Sequence, residues 1–284
     1  MPVRTPALTL ALLALGAALP AAPALADDDR ACRHSSPQSL TLDIGDARAI
    51  EFRVGASKLR LDGKPGKAGS LQGRACASSE ADLARLQLEQ SREGDRLVLR
   101  LNREQRSGWS LFGNHYAYFD LSGSVPEDMP VEVTVGSGDA WLRNLSELGL
   151  TVGSGDGEAR GIRGEVRATV GSGDIELEDI GSLDGGSIGS GDLAARNVRG
   201  DARMGSIGSG DLELRGVGGE VVIGSIGSGD ADIERVSGGV EIGSIGSGDV
   251  DASGIGGDLR VRSLGSGSVD HEGVAGKIDI PRKR

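Results

Sequence analysis

Aromatic residues are nearly absent, with three Phe, two Trp and two Tyr among 284 residues, so any core must be aliphatic. Cysteine is limited to Cys32 and Cys76, and histidine to His34, His115 and His271, which lie far apart in sequence. That scarcity argues against a zinc site or a paired Cys-His nucleophile, because neither CxxC spacing nor clustered histidines are present. Positive charge is in deficit: 31 Lys and Arg face 42 Asp and Glu, a formal net charge of −11. This disfavours nucleic acid and anionic lipid as partners. No run after residue 26 is long and apolar enough to span a membrane. No catalytic residue and no cofactor site are read from the chain.

What the chain has is glycine, 48 residues of it, and without a collagen period such richness usually means disorder unless the glycines recur at fixed positions. Here they recur. Gly-Ser-Gly-Asp tetrads end at Asp139, Asp156, Asp174, Asp192, Asp211, Asp230 and Asp249, and an eighth copy ends at Ser268. The spacing settles at 19 residues, a period that marks a stacked repeat architecture. After Asp211 the apolar residues are Leu212, Leu214, Val217, Val221, Ile223 and Ile226. Pairs two apart alternate as in a half-buried strand rather than a helix. The sixth residue after each tetrad is always aliphatic: Leu145, Ile162, Ile180, Val198, Val217, Val236, Ile255 and Val274. The pattern predicts an all-β parallel solenoid of 17–19-residue coils, two or three short strands per coil, stacked at about 4.8 Å. Glycine-rich corners join the strands, through positive φ or close approach of neighbouring coils.

Three segments are expected. Residues 1–26 read as a secretory leader, with Arg4, an apolar run from Leu8 to Leu19 and the cleavage box Ala24-Leu25-Ala26. Residues 27–130 read as an irregular β-rich cap of degenerate coils, and residues 131–284 as the regular solenoid. Within the cap, Val54 to Leu61 looks like a worn copy of Val135 to Leu142, and Gly94 to Leu101 suggests another. Ser79 to Leu86 could open a short helix, although Leu86-Gln87-Leu88 reads equally as strand. With two cysteines in an exported chain, Cys32 and Cys76 have one intramolecular pairing, and an oxidising compartment favours a disulfide.

The Val-Gly-Ser-Gly-Asp copies at Val135–Asp139, Val152–Asp156 and Val170–Asp174, with the later Ser-Ile-Gly-Ser-Gly-Asp copies, resemble the bacterial "putative adhesin" proteins built from β-strand repeats. These are related to the head GIN autotransporter adhesins. The resemblance implies a β-solenoid of the cell envelope, in the periplasm or secreted to the surface, with adhesion as a label and no catalytic residues to carry over. It implies an envelope protein or glycan as partner.

The tetrad aspartates should stack on one edge. Unit charges about 4.8 Å apart repel by roughly 1 kcal/mol in water and about 3–4 at an effective dielectric of 20, so something must offset them. The simplest expectation is that each carboxylate accepts N–H groups of its own turn; the alternative is a bridging cation, Ca²⁺, which would make a calcium-stabilised structural solenoid. The densest aromatic segment, Trp109 to Phe119, supplies a candidate interaction surface in Trp109, Phe112, Tyr116 and Tyr118. The same rings could instead plug the end of the aliphatic core. A polysaccharide-acting solenoid enzyme is the catalytic alternative, but it needs an irregular cluster of carboxylates on one face, and these coils repeat almost identically.

Overall fold

A computed structural model describes residues 32–103 and 115–282. The described chain is built of strands and the turns that join them, with one short helix. Each regular coil contributes two strands, not three. In the coil after Asp211 these are Leu212–Val217 and Val221–Ile226, and all six inward aliphatics are 1–2% exposed. The first strands of successive coils form one 12-stranded sheet and the second strands another. Pairing is parallel and in register, Leu193 on Leu212 and Leu212 on Ala231. Side chains therefore stack on their counterparts one coil away, apart from a bulge between Ala168 and Val170. The aliphatic ladder predicted at the sixth position is buried from Leu145 to Ile255, and Val274 in the last coil packs half-buried against it.

The two kinds of glycine corner do different work. In the tetrads, the second glycine is fixed by close approach. A Cβ on Gly155, Gly173, Gly191, Gly210, Gly229, Gly248 or Gly267 would sit 1.7–1.9 Å from the carbonyl oxygen of the equivalent glycine one coil earlier. Positive φ belongs to the other corner. The fifth residue after each tetrad is left-handed in all eight coils: Asn144, Gly161, Asp179, Asn197, Gly216, Arg235, Gly254 and Gly273, with φ between 55° and 77°. Seven of the eight are Gly, Asn or Asp, the residues that tolerate this region best; Arg235, at φ 55°, is the exception. Arg235→Gly is therefore expected to raise stability by about 1 kcal/mol, read as a rightward shift of the urea midpoint with unchanged slope. A leftward shift would show that the Arg235 side chain, 3.2 Å from Glu234, outweighs its backbone strain.

Before the regular coils the chain runs β1 (His34–Thr41), β2 (Ala49–Gly55), β3 (Lys58–Lys64), β4 (Ser70–Ala77), α1 (Glu80–Leu83), β5 (Leu86–Glu93), β6 (Arg96–Arg103), β7 (Ala117–Pro126), β8 (Val131–Val135) and β9 (Asp139–Arg143). The worn copy of the repeat is a true coil, because β2 pairs in parallel with β8 and β3 with β9, placing Leu59 on Ala140 and Leu61 on Leu142. The second degenerate copy is also a coil. Yet β6 and β7 stack outside β2 and β3, with Phe52 on Leu99 and Leu59 on Leu121, so space reverses chain order. Beyond them the ladder turns antiparallel: β5 pairs with β6, β4 with β7 and β1 with β4. Ser79 caps α1, its Oγ accepting the Asp82 N–H at 3.1 Å, and the chain returns to strand at Leu86, so both expectations for that stretch hold in part. Cys32 and Cys76 are bonded to each other, tying the entry of β1 to the end of β4. One aliphatic core runs from Leu42 to Leu264, with Phe52 and Phe119 as its buried aromatics.

Candidate functional site

The tetrad aspartates do form an edge ladder, but their partners lie one coil away rather than in their own turns. Asp192 N–H donates to Asp174 Oδ1 at 3.2 Å, Asp211 to Asp192 at 2.9 Å, Asp230 to Asp211 at 2.9 Å and Asp249 to Asp230 at 2.8 Å. Ser268 ends the series, donating both its N–H and its hydroxyl to Asp249 Oδ1 at 2.8 and 2.7 Å. The donor is displaced by a coil because stacking brings the next N–H closer than any in the same tight turn. Each bond offsets part of the repulsion between neighbours, since N–H donors favour the ionised carboxylate. At Asp139 burial and the Asp156 carboxylate push the carboxyl up. A second, shorter set was not foreseen: Asp201 accepts from Glu220 N–H at 3.0 Å and Asp258 from Lys277 N–H at 2.7 Å. With backbone donors already engaging Oδ1 along the ladder, the melting temperature is expected to be the same in chelator as in millimolar calcium. A rise with calcium would restore the bridging-cation reading.

Ser187 lies within Gly185-Gly186-Ser187-Ile188-Gly189, which has the spacing of a nucleophile elbow. The context does not fit one. An elbow needs a strand-to-helix turn, whereas Ser187 sits in the strand Ser182–Ile188 and stacks on Ser206 in a regular serine column.

Of the predicted aromatic surface, Trp109 and Phe112 lie outside the described residues. Tyr116 and Tyr118 are half-buried neighbours with ring centroids 6.2 Å apart, and Tyr116 Oη accepts the Arg33 N–H at 3.1 Å. Phe119 from the same segment is fully buried in the core. Next to this pair in sequence, His115 Nδ1 is 3.2 Å from Asp82 Oδ2, which also accepts the hydroxyls of Ser78 and Ser79 at 3.1 and 2.8 Å. Asp82 is 3% exposed. The Ser79 hydrogen bond first, then those from His115 and Ser78, outweigh desolvation and hold its carboxyl down at about 2, against the ordinary 3.8. A depressed folded value means that the ionised group stabilises the fold above pH 4 and ceases to do so as pH falls toward 2. Asp82→Asn should therefore melt below the parent at pH 7, with the gap closing between pH 4 and 2. A gap independent of pH would assign the loss to packing.

Sequence reasoning passed over Trp141. It occupies an outward position of β9, second after the tetrad, where later coils carry mostly Glu or Asp. An aromatic in an otherwise acidic outward column was the available signal. Arg60 lies over the ring, its guanidinium carbon 4.3 Å from the centroid, and is anchored by Asp120 at 2.7 Å. Around them a groove of about 700 Å³ is lined by Arg60, Asp62, Ser122, Trp141, Arg143, Asn144 and their neighbours.

Residues 160–283 match the Toastrack DUF4097 family. Among solved structures, a putative adhesin of Parabacteroides merdae matches with a TM-score of 0.57 at 17% identity, over 84% of this chain and 96% of that one. A putative adhesin of Parabacteroides distasonis matches with a TM-score of 0.56 at 14% identity, over 84% and 97%. At such identity the likeness is one of fold. No curated protein matches the chain. Residues 160–283, the later coils of the two-sheet β-solenoid, are thus similar to the Toastrack DUF4097 family, and the solenoid as a whole shares its fold with these Parabacteroides structures.

Proposed function

We propose that the chain is an exported, non-catalytic, adhesin-like protein of the bacterial envelope, a rigid scaffold presenting an acidic surface to an envelope protein or glycan. One observation carries this reading: the most repeated polar groups, the tetrad carboxylates, bond backbone N–H groups one coil on. They are spent on stacking. The leader-like residues 1–26 and the Cys32–Cys76 disulfide support a location outside the cytoplasm, where disulfides persist. Residues 27–130, less regular and richer in aromatics, supply the recognition surface together with the first regular coils, and the later coils serve as the stiff spacer. Envelope extract passed over the immobilised chain should leave envelope material retained, and incubation of the chain with acidic and neutral glycans should give no new reducing or unsaturated ends. Glycan turnover would overturn the reading in favour of a solenoid enzyme.

A further inference from the structure

The geometry points to a saccharide-binding platform around Trp141, selective for a uronic-acid oligosaccharide. This deepens the adhesin-like reading and rests on it, by naming the ligand class. Four adjacent strands present one grid of outward side chains. Register places Arg60 between Ser122 of β7 and Trp141 of β9, and Trp141 beside Glu158 of the next coil.

The chemistry of the grid is that of a sugar site. Trp141 is half-buried, so part of an apolar ring stays open to solvent on a sheet face that is otherwise polar. Aromatic rings anchor binding surfaces because they bring large contact area at low entropic cost. Arg60 fixes the ring from one side, and is itself committed to Asp120 at 2.7 Å. Ser122 and Asn144 line the same groove with a hydroxyl and an amide, groups suited to sugar hydroxyls. The groove of about 700 Å³ falls within the range of small-ligand sites, roughly 300–1,000 Å³.

Charge bookkeeping in the groove selects the acid. Asp62 accepts Asn144 Nδ2 at 2.8 Å, and Glu158 accepts Arg160 Nε at 2.8 Å. Arg60 is paired, as above. The Arg143 side chain lines the groove, is exposed, and has no ion pair or hydrogen-bond partner among the described residues. A guanidinium left open beside an aromatic ring matches a pyranose that carries a carboxylate, since Arg recognises carboxylates with two parallel N–H bonds.

The test is calorimetric titration of the purified protein with trigalacturonate and with its methyl ester, the same sugar without charge. We expect saturable binding of the acid, weaker binding of the ester, and a loss of about tenfold or more on Trp141→Ala. Trp141→Phe should keep most of the affinity, and Arg143→Gln should bring the acid down to the level of the ester. Both positions lie on the outward side of β9, so the variants should melt like the parent; should Trp141→Ala melt lower, Trp141→Thr, which suits a strand, takes its place. No binding of the acid, equal binding of acid and ester, or binding indifferent to Trp141→Ala would overturn the platform. Such a failure leaves the adhesin-like reading standing if envelope material is still retained. Cleavage of trigalacturonate would instead sink the non-catalytic reading.

Discussion

Gly229→Ala is expected to destabilise the protein by about 3 kcal/mol or more, at the upper end of what overpacking costs. The added Cβ would lie 1.9 Å from Gly210 O, with Gly210 C and N at 2.8 and 3.0 Å. All three are backbone atoms in a stacked corner, so no side chain can rotate away. Relief requires separating two coils, which weakens the Ser228 and Gly229 N–H bonds to Gly208 O, at 2.8 and 3.1 Å, and the Asp230 N–H bond to Asp211. The control is Gly149→Ala. There the nearest atom is the Glu132 side-chain Cγ at 3.2 Å, which can move, and alanine in a strand is if anything favoured over glycine. Denaturant midpoints for the two variants should therefore part widely. A Gly229→Ala midpoint equal to that of Gly149→Ala would mean that the coils do not approach as closely as described.

Removing the disulfide by Cys32→Ser/Cys76→Ser is the second large effect. The bond closes a separation of 44 residues, worth about 4 kcal/mol in the chain-entropy account. The loss should be local. In a solenoid each coil contacts only its neighbours, so stability is close to a sum of coil and interface contributions. The bond ties the start of β1 to β4, the outer antiparallel strands of the N-terminal end. Hydrogen exchange should speed up in His34–Thr41 and Ser70–Ala77 while the amides of Val221–Ile226 keep their protection. Uniform acceleration along the chain would show that the solenoid unfolds as one cooperative unit.

Most of the regular solenoid could be read from sequence because the repeat constrains it: six aliphatic offsets, one tetrad and a steady 19-residue spacing leave little freedom of register. The left-handed corner left a signal too, in the Asn, Gly, Asp, Asn, Gly series from Asn144 to Gly216, the residues that tolerate positive φ best. The reversed order of the first two coils was not. Nothing in Ile50 to Leu61 or Leu97 to Leu121 specifies which stacks outermost, since both present the same aliphatic alternation and the choice is made by tertiary packing. The partners of the tetrad aspartates were misplaced for a similar reason. A side chain's local options are visible in its own turn, whereas a donor 19 residues on becomes a neighbour only after stacking. Trp141 is a lone aromatic, a weaker signal in sequence than the dense segment from Trp109 to Phe119, two of whose predicted contact residues lie outside the described structure.

The claim on which the rest depends is that the repeated aspartates hold coils together rather than hold a ligand. Native-state hydrogen exchange of the Asp211, Asp230 and Asp249 amides tests it most directly, in the parent and in Asp230→Ala. The account predicts slow exchange at all three in the parent, although the side chains are exposed, and selective loss of protection at Asp249 in the variant, whose acceptor has been removed. Fast exchange of these amides in the parent, or an unchanged Asp249 in the variant, would contradict it.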